Sequence, residues 1–166
     1  MTSYTDLKKI FIAFSMLAIS QFTGALDMSQ TKIATAYYKA LYSGDHDLVQ
    51  KVASPDMVFE DPSAPAEFEI PPVINNLEDF LSFMKANLQG EVMVTIKDSF
   101  VSNDRVILMV EVKGMLPASS VGLKGSMVRY ETSGVTVLHV VNGKVIRHTD
   151  FMDYPGLTKS FKPINQ

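Results

Sequence analysis

Residues Val135 to Tyr154 read VTVLHVVNGKVIRHTDFMDY, two β-branched runs meeting at Asn142-Gly143. An Asn-Gly pair between apolar runs is the strongest short-range hairpin signal, because both residues accept the positive φ of a tight reverse turn. The second run sets polar groups in an apolar row. His148 and Asp150 are two residues apart, so on a strand they leave the same face, beside Ile146 and Met152. An imidazole and a carboxylate among apolar neighbours are costly unless something satisfies or uses them. This face is expected to floor a small-molecule pocket.

The chain upstream supplies helices first. From Ser29 to Leu41, Ile33, Tyr37, Ala40 and Leu41 recur at helical spacing, and Gly44 ends the run. Asp45 can cap a second short helix carrying Leu48, Val49 and Val52, which Pro55 is expected to stop. Met57 to Asp61 alternates as a strand with Met57, Phe59 and Asp61 on one side. A loop then runs through Pro62, Pro65 and Pro71 to Pro72. A third helix, Leu77 to Leu88, starts at Asn76 with Asp79 three residues on and shows an apolar stripe of Leu77, Phe80, Leu81, Met84 and Leu88.

Everything after Gly90 is strand-like: Glu91 to Phe100, Arg105 to Met115, Gly122 to His139 and Lys144 to Tyr154. Gly134 is expected to mark a bulge in the third run. Helices followed by consecutive strands make one α+β domain, in which a strongly curved antiparallel sheet wraps three helices and leaves a cavity between the layers.

The first 25 residues read as a leader. Lys8-Lys9 precede the apolar run Ile10 to Ile19, and small residues follow at Ala18-Ile19-Ser20 and Thr23-Gly24-Ala25. The expected division is a signal peptide over 1–25 and a single domain over 26–166, exported to the periplasm or secreted, with no membrane span after cleavage. A net charge of −3 with scattered signs gives no footprint for nucleic acid or an anionic membrane. With no cysteine there is no disulfide framework and no thiolate metal site. Ten Met and ten Phe suit a deformable apolar interior, whether an irregular cavity or a plain core.

The phrases YYKALYSGDHDLVQKVASPDMVFEDP and NGKVIRHTDFMDY resemble members of the nuclear-transport-factor-2-like superfamily, closest to its SnoaL-like, polyketide cyclase-like branch. The likeness spans roughly Ser29 to Leu157 and implies a cone-shaped α+β roll, a scaffold that hosts many chemistries and some purely binding members. Ketosteroid isomerases of the superfamily carry a Glu-Asp-Pro whose Asp is the general base, matched here by Glu60-Asp61-Pro62. Their Tyr oxyanion donor, seven residues before the Gly-Asp corner, is matched by Tyr37 before Gly44. Their second oxyanion donor, an Asp, falls near Thr136, which is a departure. Limonene epoxide hydrolases place an Asp in a context like that of Asp150, but they also need an Arg that the stretch Met109-Val110-Glu111 lacks. Cyclases and dehydratases of the superfamily use a pocket His with an Asp, roles that His148 and Asp150 fit.

The hairpin turn decides which upstream residues join them. A two-residue turn opposes His139 to Ile146 and brings His139 to the pocket face. A three-residue turn with Gly143 left-handed brings Thr136 and Leu138 instead, and is favoured because it puts the oxyanion position inside.

The catalytic candidates are therefore Asp61, Asp150, His148 and Tyr37, and the substrate-binding candidates are Phe59, Phe80, Met84, Thr136 and Met152. A carboxylate walled by Phe59, Phe80 and Met84 loses hydration and becomes a better proton acceptor. Asp61 or Asp150 would take a proton from carbon beside a carbonyl, while Tyr37 and His148 would donate to the developing oxyanion. The alternatives are a turn-shaping role for Asp61, a core pairing of His148 with Asp150, and plain packing of Tyr37. No cofactor is required and no metal is assigned, since one histidine with two carboxylates is a thin ligand set. The functions in view are a cofactor-independent isomerase, cyclase or dehydratase for a small hydrophobic carbonyl compound, or a non-catalytic binding protein or dimeric scaffold. The expected partners are that small molecule and a second copy, as a homodimer through the sheet.

Overall fold

Helix α1 (Gln30–Ser43) opens the described part of the protein, a computed structural model covering residues 29–88 and 90–164. The leader expected over 1–25 lies outside those residues. Ile33, Ala34, Tyr37, Tyr38, Ala40 and Leu41 form the buried face of α1. Gly44, at φ 74°, ends it in the left-handed conformation and donates its N–H to the Ala40 carbonyl. The Asp45 carboxylate then accepts from the Leu48 N–H at 3.0 Å and starts α2 (His46–Val52), as its spacing predicts.

Strand β1 (Ala53–Glu60) follows without a break. Pro55 therefore lies inside a strand rather than stopping the helix, which has already ended at Val52. The proline-rich stretch is not all loop. It holds a 3-10 turn at Ala66–Phe68, and β2 (Val73–Ile74) pairs antiparallel with Phe59 and Glu60 of β1. Helix α3 (Leu77–Asn87) is capped reciprocally: the Asn76 carbonyl oxygen accepts from the Asp79 N–H at 2.8 Å, and the Asn76 amide donates to the Asp79 carboxylate at 2.6 Å. Its stripe seats Phe80 on Phe59, with ring centres 4.5 Å apart.

The remaining strands are β3 (Val92–Ser102), β4 (Arg105–Pro117), β5 (Met127–Val141) and β6 (Lys144–Met152). A 3-10 turn, Ala118–Val121, precedes β5, which starts five residues later than the apolar pattern suggests. Helix α4 (Tyr154–Ser160) and β7 (Lys162–Pro163) close the described chain. The sheet order is β2-β1-β6-β5-β4-β3, with β7 on β5. The architecture is α+β, a curved and unclosed sheet against helices.

Two features correct the expected roll. The sheet is mixed, because β1 runs parallel to β6. There are four α-helices among the described residues rather than three. The fourth begins where the strand pattern was read on to Tyr154. Asp153 caps it by accepting from the Gly156 N–H at 2.9 Å, and Pro155 stands in its first turn.

Gly134 is not at a bulge. It pairs in continuous register with Val110 and Met152, and a Cβ there would lie 2.5 Å from the Met152 sulfur and 2.6 Å from the Phe151 carbonyl oxygen. Its smallness serves close approach between strands.

The irregularity lies one hairpin further on. Val141 pairs with Lys144, so the Asn142-Gly143 turn has two residues, at φ 49° and 77°, instead of the favoured three. Val140 then pairs with Val145 but His139 with Arg147, which leaves Ile146 as an extra residue in β6. This bulge reverses the faces. Without it the inward row starting at Val145 would continue to Arg147 and Thr149. With it the row reads Val145, His148 and Asp150, all buried. Val145 thus takes the place expected for Ile146, and Thr136 and Leu138 oppose Asp150 and His148.

Deleting Ile146 removes the extra residue and leaves Val145, His148 and Asp150 alternating on the inner face, so it should cost about 1 kcal/mol, whereas deleting Ile146 and Arg147 together turns His148 and Asp150 outward and Thr149 inward and should cost about 3 kcal/mol or more. Urea unfolding of the two variants checks the difference.

Candidate active site

Helix α1 and strands β5 and β6 bring four predicted residues into one hydrogen-bonded chain. The Tyr37 hydroxyl lies 3.1 Å from His148 Nδ1, and His148 Nε2 lies 2.9 Å from Asp150 Oδ1. The Thr136 hydroxyl, across the strand pair, donates to the same Asp150 oxygen at 2.5 Å. Two proton arrangements satisfy all three contacts. With Asp150 as a carboxylate, His148 donates from Nε2, and at Nδ1 it either accepts from the Tyr37 O–H or donates to the phenol oxygen while that O–H points to Met57 Sδ. Met57 Sδ stands 3.6 Å from the same phenol oxygen.

Every link of this chain is buried, His148 to 1% exposure. The His148 ring is boxed by the edges and faces of Tyr37, Phe59 and Phe80, with centres at 5.6, 5.2 and 5.6 Å. Asp150 Oδ1 carries both hydrogen bonds, while its Oδ2 has no partner among the described residues and is not sealed from solvent. The carboxylate is thus fixed by one oxygen and open at the other.

Asp61 belongs to a separate cluster. Its Oδ1 accepts from the Ser63 N–H at 3.0 Å and the Ser63 hydroxyl at 2.5 Å, and its Oδ2 accepts from the Tyr154 hydroxyl at 2.6 Å. The first of these is the Asx turn that Asp-Pro-Ser favours. Ser63 also accepts from the Met152 N–H at 2.8 Å, so the cluster ties the loop after β1 to the end of β6, where β1 has stopped pairing. No hydrogen bond joins Asp61 to Tyr37, His148 or Asp150. Both of its oxygens are engaged within the fold, as a turn-shaping carboxylate requires.

The apolar candidates stand around these groups. Phe59, Phe80 and Met84 are buried, and Met152 is half-buried. The space between sheet and helices, expected to hold a cavity, is occupied by Tyr37, Tyr38, Met57, Phe80 and His148, all at 1% exposure or less. Ten methionines and ten phenylalanines serve here as filling. Two open grooves lie outside that space. One, about 610 Å³, runs between α2 and α3 past His46, Gln50, Glu78 and Lys85. The other, about 490 Å³, includes Ser63, Gly134, Phe151 and Met152. Met109, Val135 and Phe151 of its lining stand in one row on the outer face of the sheet, the side opposite Asp150.

Three further groups stand close to the candidate residues. Ser63 and Tyr154 hold Asp61; an Asp-x-Ser turn and the Asp153-Tyr154-Pro155 helix start were the available signals. Tyr38 is fully buried beside Tyr37, and its hydroxyl makes no hydrogen bond of normal geometry, the one such buried side-chain atom among the described residues, with Thr136 and Tyr42 as its nearest polar side chains. Leaving a buried hydroxyl unpaired costs about 1–3 kcal/mol. No sequence pattern announces it, because it depends on what lies opposite.

His139, whose side was open, is part of neither cluster. It hydrogen-bonds Asp104 of the β3–β4 turn, which holds that carboxyl below its ordinary range.

The model of the SnoaL-like domain matches residues 34–148, and the chain belongs to this family. Among solved structures it is similar to a candidate SnoaL-like polyketide cyclase from Shewanella putrefaciens, with TM-score 0.70, 20% identity and coverage of 81% of this chain and 97% of that one. IdmH, a candidate polyketide cyclase from Streptomyces antibioticus, gives TM-score 0.68 at 19% identity over 80% and 98%. An LEH-like epoxide hydrolase from M. tuberculosis gives 0.63 at 15% over 79% and 87%. At these identities the solved structures speak for the fold. A comparison with curated protein sequences returns no significant match.

Burial, and then the charge of Asp150, push the Tyr37 and Tyr38 phenols above their ordinary value of 10.0. Burial and the hydrogen bond to Asp61 do the same for Tyr154. A phenol raised in the folded state contributes stability that is complete below pH 10.0 and is lost as pH rises toward the folded value. Alkaline titration should therefore show the phenolate absorbance of these three residues appearing together with loss of circular dichroism, rather than in a gradual step near pH 10.0.

Proposed function

We propose that this chain is a cofactor-independent acid–base enzyme of the isomerase, cyclase or dehydratase kind, acting on a small apolar carbonyl compound. The observation that carries the reading is the asymmetry of Asp150, anchored at Oδ1 by Thr136 and His148 and unpartnered at Oδ2. A base needs a fixed position and an available lone pair, and this carboxylate has both.

In this reading Asp150 Oδ2 takes a proton from carbon beside the carbonyl. The C–H electron pair becomes the enolate double bond, and charge moves onto the carbonyl oxygen. Return of the proton at another carbon isomerises the compound; attack of the enolate carbon on a second carbonyl closes a ring, from which water can later be lost. His148 and Tyr37 act through Asp150: the imidazole N–H holds the carboxylate, and Tyr37, hydrogen-bonded at Nδ1, holds the ring that donates. Asp61, with every donor around it already used, keeps the β1 corner in place. The leader pattern supports export of the domain.

The exposed face of the sheet supports a homodimer. Phe100, Met109 and Phe151 are 51%, 44% and 46% exposed. The register aligns Met109, Val135 and Phe151 in one row and Phe100, Ile107 and Val137 in the next. Lys97, Glu111, Lys113 and Glu131 flank this apolar strip with alternating charges, a rim a second copy can complement.

Deuterium wash-in beside the carbonyl of 1-tetralone, followed by mass spectrometry, tests the chemistry. Asp150→Asn should retain the fold and lose about 10²–10⁴-fold in rate, whereas equal exchange by wild type and variant defeats the assignment. For the interface, Phe151→Glu should shift the protein from dimer to monomer in sedimentation analysis with unchanged circular dichroism.

A further inference from the structure

The chain continues past residues 34–148, which match the SnoaL-like domain, and its last described stretch returns to the loop after β1. Strand β6 stops at Met152, and residues 153–164 run beside β5 in its place. The Asp153 N–H donates to the Ser133 carbonyl at 2.9 Å, the Glu131 N–H to the Ser160 hydroxyl at 2.9 Å, and the Ile164 N–H to the Met127 carbonyl at 3.0 Å. Little in this stretch holds itself in place. Helix α4 has seven residues, too few to be stable alone in water, and Gly156 weakens it further. Strand β7 is two exposed residues, one of them a proline with no N–H to donate. Tyr154 is the buried residue of α4. Its ring lies against Phe68 at 5.0 Å, and its hydroxyl donates to Asp61 Oδ2 at 2.6 Å. One side chain thus anchors the whole segment to the body of the protein.

We propose that residues 154–164 are a detachable strap, latched to Asp61 through the Tyr154 hydroxyl, which opens as a unit while the sheet stays intact and so uncovers Asp61. The two oxygens of this carboxylate are tied differently. Oδ1 is held by the Ser63 N–H and hydroxyl, contacts that do not involve α4. Oδ2 has only Tyr154. Withdrawing the strap therefore leaves a carboxylate still oriented by its own turn, with one oxygen free. In the closed form Asp61 is 5% exposed and serves as a fastening; in the open form it is an acceptor within reach of a hydrogen-bond donor from outside. A segment with a single buried anchor opens at far smaller cost than the strands beneath it, so the change is confined to this end of the molecule. The strap decides whether Asp61 is closed off or available, and it does so independently of any role of Asp150.

The test uses the full chain and two variants, Tyr154→Phe at the latch and Ser160→Ala at the far end of the strap. Backbone hydrogen exchange follows the strap. Carbodiimide coupling of glycine ethyl ester, located by mass spectrometry, follows access to Asp61. In Tyr154→Phe, which keeps the ring against Phe68, exchange across 154–164 should rise about tenfold or more. Asp61 should couple faster by a similar factor, while β4 exchanges as in the wild type. Ser160→Ala touches neither Tyr154 nor Asp61, yet it should raise both rates as well, because a unit that opens as a whole responds to the loss of any of its contacts. A response confined to 158–164 in Ser160→Ala describes an end that frays and overturns the proposal. Unchanged coupling at Asp61 in Tyr154→Phe overturns it too, as does faster exchange throughout β4, which makes Tyr154 part of the cooperative fold. If wild-type Asp61 couples as fast as the exposed Asp47, the carboxylate is never closed off and there is no latch.

Discussion

One extra residue in β6 decides which side chains face the core. Side chains alternate along a strand, so the two-residue Asn142-Gly143 turn alone would carry the inward row from Val145 to Arg147 and Thr149. The bulge at Ile146 shifts the row by one and delivers His148 and Asp150 instead. Arg147 is released to the outer face, where it pairs with Glu60 at 2.6 Å. Every contact of the candidate site depends on this shift, including the pairing of Thr136 with Asp150 and the packing of Phe59 against His148.

Polar groups so placed must then be satisfied, and the two carboxylates meet that demand differently. Asp61 is surrounded by donors from its own turn and from α4, which makes it a fastening between the end of β1 and the end of β6. Asp150 is secured through one oxygen by donors that are themselves oriented, and the other oxygen is spared. The two carboxylates differ in this sense: Asp61 accepts hydrogen bonds at both oxygens, and Asp150 accepts at one.

Much of the fold was legible because it rests on local chemistry. Gly44 ends α1 as a left-handed cap must, Asp45 and Asn76 cap their helices through their own side chains, and the Asn142-Gly143 turn lies where its dipeptide stands. The errors came where a local rule met a distant partner. Pro55, which by itself signals a helix stop, sits in β1, at the start of a parallel pairing with β6 that nothing in its neighbourhood announces. Gly134, whose residue type suggests a bulge, is a point of close approach to Met152. The inward face of β5 was expected correctly from a three-residue turn, yet it arises from a two-residue turn followed by a bulge. Tyr154 was assigned to a strand although Asp153 and Pro155 carried the signal for a helix start.

The sequence by itself determined the α+β class, three of the four helices with the caps at Gly44, Asp45 and Asn76 though not the one expected at Ser29, the strand-rich second half, and the common face of His148 and Asp150. Those follow from periodicity and from side chains that act on their own backbone, within a few residues of where they stand. Tertiary structure alone decided that β1 runs parallel to β6, that Tyr154 takes the second oxygen of Asp61, and that the Tyr38 hydroxyl is buried against His148 and Tyr42 without a hydrogen bond of normal geometry. Each is a fact about groups brought together from opposite ends of the chain, and whether a buried polar atom is satisfied depends on what stands across from it in space rather than beside it in order.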